Sequence, residues 1–366
     1  GQMSKLDELI AELCPDGVEY MPVGELCSIQ TGSQINKENF KNVGEYPVYN
    51  GGINPSGYHD DFNTEANTIA ISQGGASAGF VNWVDVPFFA GAHCYTIKNV
   101  SKLILNRYLY FYLKNKQDDI QNSKHGAGIP GLNSRAIKNL RIPVPPLPVQ
   151  QEIVRILDNF TELTTQLTAE LKARKKQYEY YRDWLLSQEE LNKLCPDGVS
   201  YKRLGEIGYF YGGLSGKSKH DFANGNAKFI TYMNVYSNLA VDTEISDMVK
   251  IGENEKQNTV KHGDILFTGS SETLDECGIS SVLTKETNEK LYLNSFCFGF
   301  RLIDKDLLLP DFSKYLFRSK EIRKQIIRTA SGVTRFNVSR EKMEQVIIPV
   351  PPLPVQQKIV RILDNF

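Results

Sequence analysis

Few stretches of this chain carry residue types that make or break bonds. The run Gln73-Gly74-Gly75-Ala76-Ser77-Ala78-Gly79 has the small residues of a phosphate cradle, but no Gly-Lys-Ser/Thr follows it. Gly213-Leu214-Ser215-Gly216-Lys217-Ser218 comes closer to G-x-x-x-x-G-K-[ST]. Tyr211 stands where the first glycine belongs, however, and no strand-to-helix pattern surrounds it, so the stretch reads as a polar loop. Val144-Pro145-Pro146-Leu147 lacks both the polar and the aromatic member of the Asp/Asn-Pro-Pro-Tyr/Phe signature of amino-methyltransferases. There is no H-E-x-x-H, G-x-S-x-G, adenosylmethionine loop or helicase set. The five histidines, His59, His93, His125, His220 and His262, are scattered. The six cysteines, Cys14, Cys27, Cys94, Cys195, Cys277 and Cys297, form no C-x-x-C and no cluster with histidine. They read as buried reduced thiols of a cytoplasmic protein, with neither zinc nor a disulfide framework. No catalytic residue, metal or cofactor is expected.

What remains is chemistry that reads rather than reacts. Asn50, Gln73, Ser77, Asn234, Ser270 and Ser271 offer amides and hydroxyls of the kind that pair with base edges, and Lys217 and Lys219 sit in an adjoining polar loop. Total charge is balanced, 42 Lys+Arg against 43 Asp+Glu, which argues against a chain that is basic throughout. Locally it is not balanced. Lys98 to Arg141 holds nine lysines and arginines and two acids, and Lys314 to Lys342 again nine and two. Two small-residue tips lie in these stretches, Lys124-His125-Gly126-Ala127-Gly128 and Ser331-Gly332-Val333-Thr334-Arg335. Lys124, His125, Ser331, Thr334 and Arg335 are therefore the leading candidates for phosphate or base contact.

The elements that must position these groups are repeated. Ile142 to Phe160 and Ile348 to Phe366 match at 18 of 19 positions, differing only at Glu152 against Lys358. Leu-Cys-Pro-Asp-Gly-Val recurs at Leu13 and Leu194, followed by the pairs Tyr20/Tyr201, Gly24/Gly205 and Glu25/Glu206. The offsets are 181 and 206, so the second enclosed block is 25 residues longer than the first. Near-identical frames enclose different contents: the frames read as structural, the insides as selective.

Pro148 opens a pattern expected to be one unbroken helix to about Leu194. Steps of four and three give Ile153, Leu157, Phe160, Thr164, Leu167, Leu171, Arg174, Tyr178, Tyr181 and Leu185, a heptad seam. About 40 residues at 1.5 Å rise make a rod of roughly 60 Å, suited to holding two domains apart. Ile153, Leu157, Phe160, Leu167, Leu171, Tyr178 and Leu185 are the candidates for helix pairing or partner docking. The second copy of this helix stops at Phe366, and Leu6 to Leu13 resembles the helix end at Glu189 to Leu194. The expectation is a truncated repeat, cut open within its second helix, whose seam pairs with another chain, for instance in a homodimer.

The fold class expected is mixed α/β: two globular recognition domains separated by a long coiled-coil-type helix. The segments are 3–18 (N-terminal helix), 19–147 (first recognition domain), 148–194 (central helix), 195–350 (second recognition domain) and 351–366 (start of the second helix). Within the blocks, strands are expected at Tyr46 to Asn50, Thr68 to Ser72, Gly79 to Val84, Cys94 to Lys98, Phe229 to Asn234, Asp264 to Thr268, Gly278 to Thr284 and Phe296 to Leu302, and helices at Asn106 to Lys116 and Asp311 to Thr329. No apolar stretch approaches the roughly 20 residues of a membrane span.

Two divergent blocks, each closed by a Gly-containing loop and then by Ile-Pro-Val-Pro-Pro-Leu-Pro-Val-Gln-Gln leading into a helix, resemble the specificity subunit of type I restriction-modification systems. The resemblance covers nearly the whole chain. It implies a non-catalytic subunit in which each target recognition domain reads one half of a split double-stranded DNA site. It also implies that the conserved helices set the spacing and present surfaces to methyltransferase subunits, which restriction subunits join. Rival classes are a self-sufficient nuclease or methyltransferase, against which the missing signatures speak, and a two-headed scaffold for proteins or glycans.

Overall fold

The structure is a computed structural model that describes residues 4–36, 38, 40–123 and 131–366. The chain divides into two compact units, 1–168 and 169–366, and the division falls inside the long helix Leu147–Leu185.

In the first unit a four-stranded antiparallel sheet runs in the order Ser28–Thr31, Cys94–Lys98, Thr68–Ser72, Val81–Val84. Thr68–Ser72 is buried at every position, as a strand covered on both faces must be. Alternation splits its side chains. Ile69 and Ile71 join the core with Leu109 and Leu113 of the helix Asn106–Asn115, while Ala70 packs with Phe88 and Cys94 on the other side. A second, three-stranded sheet has Tyr46–Tyr49 between Gly57–His59, antiparallel, and Phe89–Ala90, parallel.

The second unit repeats this plan. Its four strands run in the equivalent order Gly208–Gly212, Cys297–Leu302, Ile265–Thr268, Ser280–Val282. Its smaller sheet has Ala227–Ile230 between Met248–Val249, antiparallel, and Tyr292–Leu293, parallel. Ile265 and Phe267 face one core and Leu266 the other. Full burial of a side chain the size of Phe267 contributes about 1.5–3 kcal/mol.

The repeated motifs form the frame in each unit. After Leu13 and after Leu194 the chain turns through Pro-Asp-Gly, with Gly17 and Gly198 both at φ +92°, a conformation that favours glycine. The strand that follows pairs antiparallel with the Ile-Pro-Val strand of the second motif: Tyr20 opposite Pro143 in one unit, Tyr201 opposite Pro349 in the other. These are equivalent residues in equivalent register. The first glutamine of each Gln-Gln then closes the frame. Gln150 is fully buried, donating from Nε2 to the carbonyls of Leu103 (2.9 Å) and Pro145 (2.7 Å) and accepting at Oε1 from the N–H of Leu105 (2.8 Å). Gln356 repeats all three bonds with Leu307, Pro351 and Leu309.

The single difference between the frames has a local cause. Glu152 is 3% exposed beneath Lys5 (3.3 Å) and Arg155 (2.6 Å), and the Arg155 hydrogen bond, opposed by burial and aided by Lys5, holds its carboxyl down to about 2. In the second unit the counterpart of Lys5 is the buried Leu186, and Lys358 is exposed.

Three expectations are revised. The central helix is not continuous to Leu194: it ends at Leu185, and Ser187 caps a separate helix Gln188–Leu194 by accepting from the Glu190 N–H. Phe229 to Asn234 is strand only to Ile230, because Thr231 caps a helix Tyr232–Ser237. The helix Asp311 to Thr329 is two helices, Pro310–Leu316 and Lys320–Arg328, separated where the Arg318 guanidinium reaches the carbonyls of Ser280 (2.6 Å), Tyr236 and Asn238. No helix among the described residues is long and apolar enough to cross a membrane.

Candidate nucleic-acid interface

In the second unit the ends of three elements converge on an open cleft of about 350 Å³. The strand Ile265–Thr268 continues through Gly269 into Ser270–Ser271, which pairs with Phe336–Val338; that strand in turn pairs with Ala330–Ser331. The tip between the last two is the Ser331 to Arg335 turn. Gly332 sits there at φ +147°, and a Cβ would meet the Arg335 carbonyl oxygen at 2.0 Å, so the turn requires glycine. Ser331, Thr334 and Arg335 are exposed, and Ser270 and Ser271 lie buried at the base. Arg335 donates from Nε to the Ser270 hydroxyl (3.3 Å), with its guanidinium 5.7 Å from the ring centre of the half-exposed Phe296.

The opposite wall is aromatic. Tyr232 and Tyr236 stack one helical turn apart at 6.1 Å; Tyr232 donates to the Ser270 carbonyl (2.8 Å) and Tyr236 to Glu276 (2.7 Å). Glu276 also accepts from the Thr273 hydroxyl, the main reason its carboxyl is held below the usual range, followed by Tyr236. Nothing in the local sequence around Phe296, Tyr232, Tyr236 and Glu272 sets them apart from core aromatics and turn acids, so only the fold brings them into the cleft.

The first unit has an equivalent place, located by matching hydrogen bonds. The Gln73 N–H donates to the His93 carbonyl (2.8 Å) as Gly269 does to Phe296 (2.7 Å), and Leu132 donates to Gln73 as Val338 does to Gly269. His93 thus occupies the position of Phe296, Gly74 that of Ser270, and Asn50 that of Thr231. Asn50 Oδ1 accepts from the His93 N–H (3.1 Å), while Gln73 Nε2 donates to the Tyr95 hydroxyl (2.9 Å), so both amides shape this place as well as bordering it. Ser77 is half-buried in the glycine-rich turn. That turn needs its glycine for packing, because a Cβ at Gly79 would meet Gln121 at 2.9 Å. Lys124 and His125 lie outside the described residues.

Several expected readers are occupied internally. Asn234 donates to the Asp242 carbonyl and accepts from Asp242 and Asn238, stapling its own loop. The Lys217 side chain is 8% exposed, donating to the Lys250 carbonyl and paired with Glu255 (2.6 Å). Glu255 is held down to about 2, first by the Gly252 N–H and then by Lys217. Lys219 is exposed but does not line the cleft. The basic stretch is also partly structural: Arg318 and Arg323 are spent on backbone carbonyls, burial pulling each guanidinium down to about 10, and Lys314 bridges Asp311 and Asp364.

The heptad seam divides in three. Ile153 packs into the core of the first unit. Tyr178 and Leu185 pack into the core of the second, Tyr178 lying 6.2 Å from the Tyr315 ring. Leu157 is half-buried. Between them Phe160 (63%), Leu167 (56%) and Leu171 (71%) are exposed. In that stretch Thr161, Thr164, Thr165 and Thr168 each donate to the carbonyl four residues back. Among the described residues no group of three His, Cys, Asp or Glu is placed to hold a metal, and all six cysteines are free and buried.

A family model described as type I restriction modification DNA specificity domain matches the chain twice, at residues 15–174 and 196–366. The chain is similar to the type I restriction enzyme EcoR124I/EcoR124II specificity subunit of Escherichia coli, 28% identical over 386 aligned residues that cover 100% of this chain and 90% of the relative. It is 30% identical over 375 residues, 95% of this chain and 87% of the relative, to the putative type I restriction enzyme specificity subunit S.HindORF215P of Haemophilus influenzae. Among solved structures it is similar in fold to the type I restriction-modification system S subunit from M. genitalium, with TM-score 0.62 and 22% identity, covering 95% of this chain and 90% of that one. Both units, each framed by the same ribbon and buried glutamine, fall within a family match, and the chain belongs to the type I restriction-modification DNA specificity family.

Proposed function

We propose that this chain is the specificity subunit of a type I restriction-modification complex in the cytoplasm. Each unit reads one half of a bipartite double-stranded DNA site, the first around Gln73 and His93, the second in the cleft of Arg335 and Phe296. The exposed seam docks methyltransferase subunits, which restriction subunits join, and the long helix sets half-site spacing. The chain carries no cofactor and catalyses no step; the methyltransferase flips and methylates the adenine that this chain positions. Tethering makes the second half-site contact intramolecular, so two modest readings multiply into one specific one.

The observation that carries this reading is that one backbone plan, with equivalent hydrogen bonds, presents different side chains at the same place in the two units, His93 in one and Phe296 in the other. A scaffold built for two identical ligands would have no use for that difference. A second mode, a homodimer, is favoured by the exposure of Phe160, Leu167 and Leu171.

The test is co-expression with a methyltransferase subunit of the same system and single-molecule sequencing of modified bases. Adenine methylation at a split asymmetric site is the expected result, and methylation at a symmetric site would indicate the homodimer using one unit twice. Absence of both a complex and salt-dependent DNA binding would refute the proposal in favour of a protein- or glycan-binding scaffold.

A further inference from the structure

We infer that Arg335 reads a guanine, with Glu272 facing the paired cytosine, so that the half-site of the second unit contains a G·C pair fixed by this one arginine. The inference rests on the DNA-reading role proposed above and adds the base.

Three observations favour a base edge over a phosphate. The first is shape: the tip from Ser331 to Arg335 joins Ala330–Ser331 to Phe336–Val338, the outer and central strands of a small antiparallel sheet whose third strand is Ser270–Ser271, and it stands out far enough that Val333 is 91% exposed. Only the projecting hairpin end is offered to DNA, and the major groove of B-DNA is wide enough to admit such a β-hairpin. The second is how the arginine is held. Its Nε is tied to the Ser270 hydroxyl and its plane lies near Phe296, while no other group among the described residues holds it. The two terminal nitrogens have no hydrogen-bond partner among the described residues, which leaves free the donor pair that matches guanine O6 and N7.

The third is charge. A phosphate-binding arginine gains from cationic neighbours, yet this cleft contains two carboxylates, Glu272 and Glu276. Glu276 is satisfied by Thr273 and Tyr236. Glu272 is exposed, has no hydrogen-bond partner among the described residues and makes no ion pair with Arg335. A carboxylate beside the arginine repels a phosphate but accepts from the cytosine N4 amino group, which lies next to guanine O6 on the same major-groove edge. A fork of donors beside an open acceptor is complementary to G·C and to no other pair in that orientation.

The experiment selects binding sites from duplex DNA with a randomised core, using the full chain with co-expressed methyltransferase, for wild type and for R335A, R335Q and E272Q. The wild type is expected to select an invariant G·C pair at one position. R335A should lose that preference by about 10- to 100-fold while keeping the rest of the consensus, R335Q should shift the position towards adenine, and E272Q should weaken it. A wild-type consensus with no G·C position that responds to R335A overturns the inference. So does an R335A variant that weakens all sequences equally and lowers the salt slope by about one, because that marks a phosphate contact; in both cases the DNA-reading role stands. Wild-type protein that selects no DNA would instead remove that role, and the inference with it.

Discussion

Replacing Gln150 by leucine tests whether the buried glutamine closes the frame. The side chains are similar in size, so no large cavity forms, but the carbonyls of Leu103 and Pro145 and the N–H of Leu105 all lose their partner. Stranding a buried backbone group costs about 1–3 kcal/mol, and the lower end applies where solvent reaches part of the site. Three groups at about 1 kcal/mol each, offset by the better burial of leucine, leave roughly 2–3 kcal/mol, a large share of the 5–15 kcal/mol typical of a folded unit. With a urea dependence of about 2 kcal/mol per molar, the midpoint should fall by about 1–1.5 M. The two tryptophans allow this to be read unit by unit, since Trp83 lies in the first and Trp184 in the second. In a Trp184→Phe background, Gln150→Leu should shift the Trp83 transition. In a Trp83→Phe background, Gln356→Leu should shift that of Trp184. A shift below about 0.3 M in both would mean that water replaces the amide without loss, and would refute the clamp.

The carboxyl of Glu152 is held below its ordinary range, so its contribution to stability is present above about pH 4.5 and is lost as pH falls towards about 2. The difference in denaturation midpoint between wild type and Glu152→Gln should therefore be larger at pH 7 than at pH 3, and an equal difference would contradict the ion-pair account. Leu167→Asp with Leu171→Asp, both at exposed positions, should leave unit stability within about 0.5 kcal/mol while abolishing helix-mediated assembly in sedimentation velocity; unchanged assembly would remove the seam as the docking surface. Burial pushes the thiols of Cys94 and Cys297 up to about 12 and that of Cys27 to about 11, so they should react with a disulfide reagent at pH 8 only after urea is added. Fast labelling of the native chain would contradict their burial.

Read alone, the sequence determined the plan. A motif repeated at 18 of 19 positions announces equivalent frames, a pattern of steps of three and four announces a long helix, and runs such as Thr68 to Ser72 announce buried strands. These signals are legible because they are periodic or duplicated, and each residue contributes the same reason its neighbours do. Positions decided by long-range partners were not legible. Lys217 has the composition of a ligand-reading side chain, but Glu255, 38 residues along the chain, uses its charge, and Asn234 is spent on closing its own loop with Asp242. Arg318 and Arg323 count as basic charge in one dimension and as internal donors to carbonyls in three. Conversely His93, Phe296 and Glu272 carry no local signal, and only the equivalent hydrogen bonding of the two units identifies the first two as counterparts. The seam divides for the same reason: its spacing is uniform along the helix, but tertiary packing covers Ile153, Tyr178 and Leu185 and leaves Phe160, Leu167 and Leu171 exposed. A sequence pattern records what a side chain can do; the partners that arrive from far along the chain decide which of those capacities remains free.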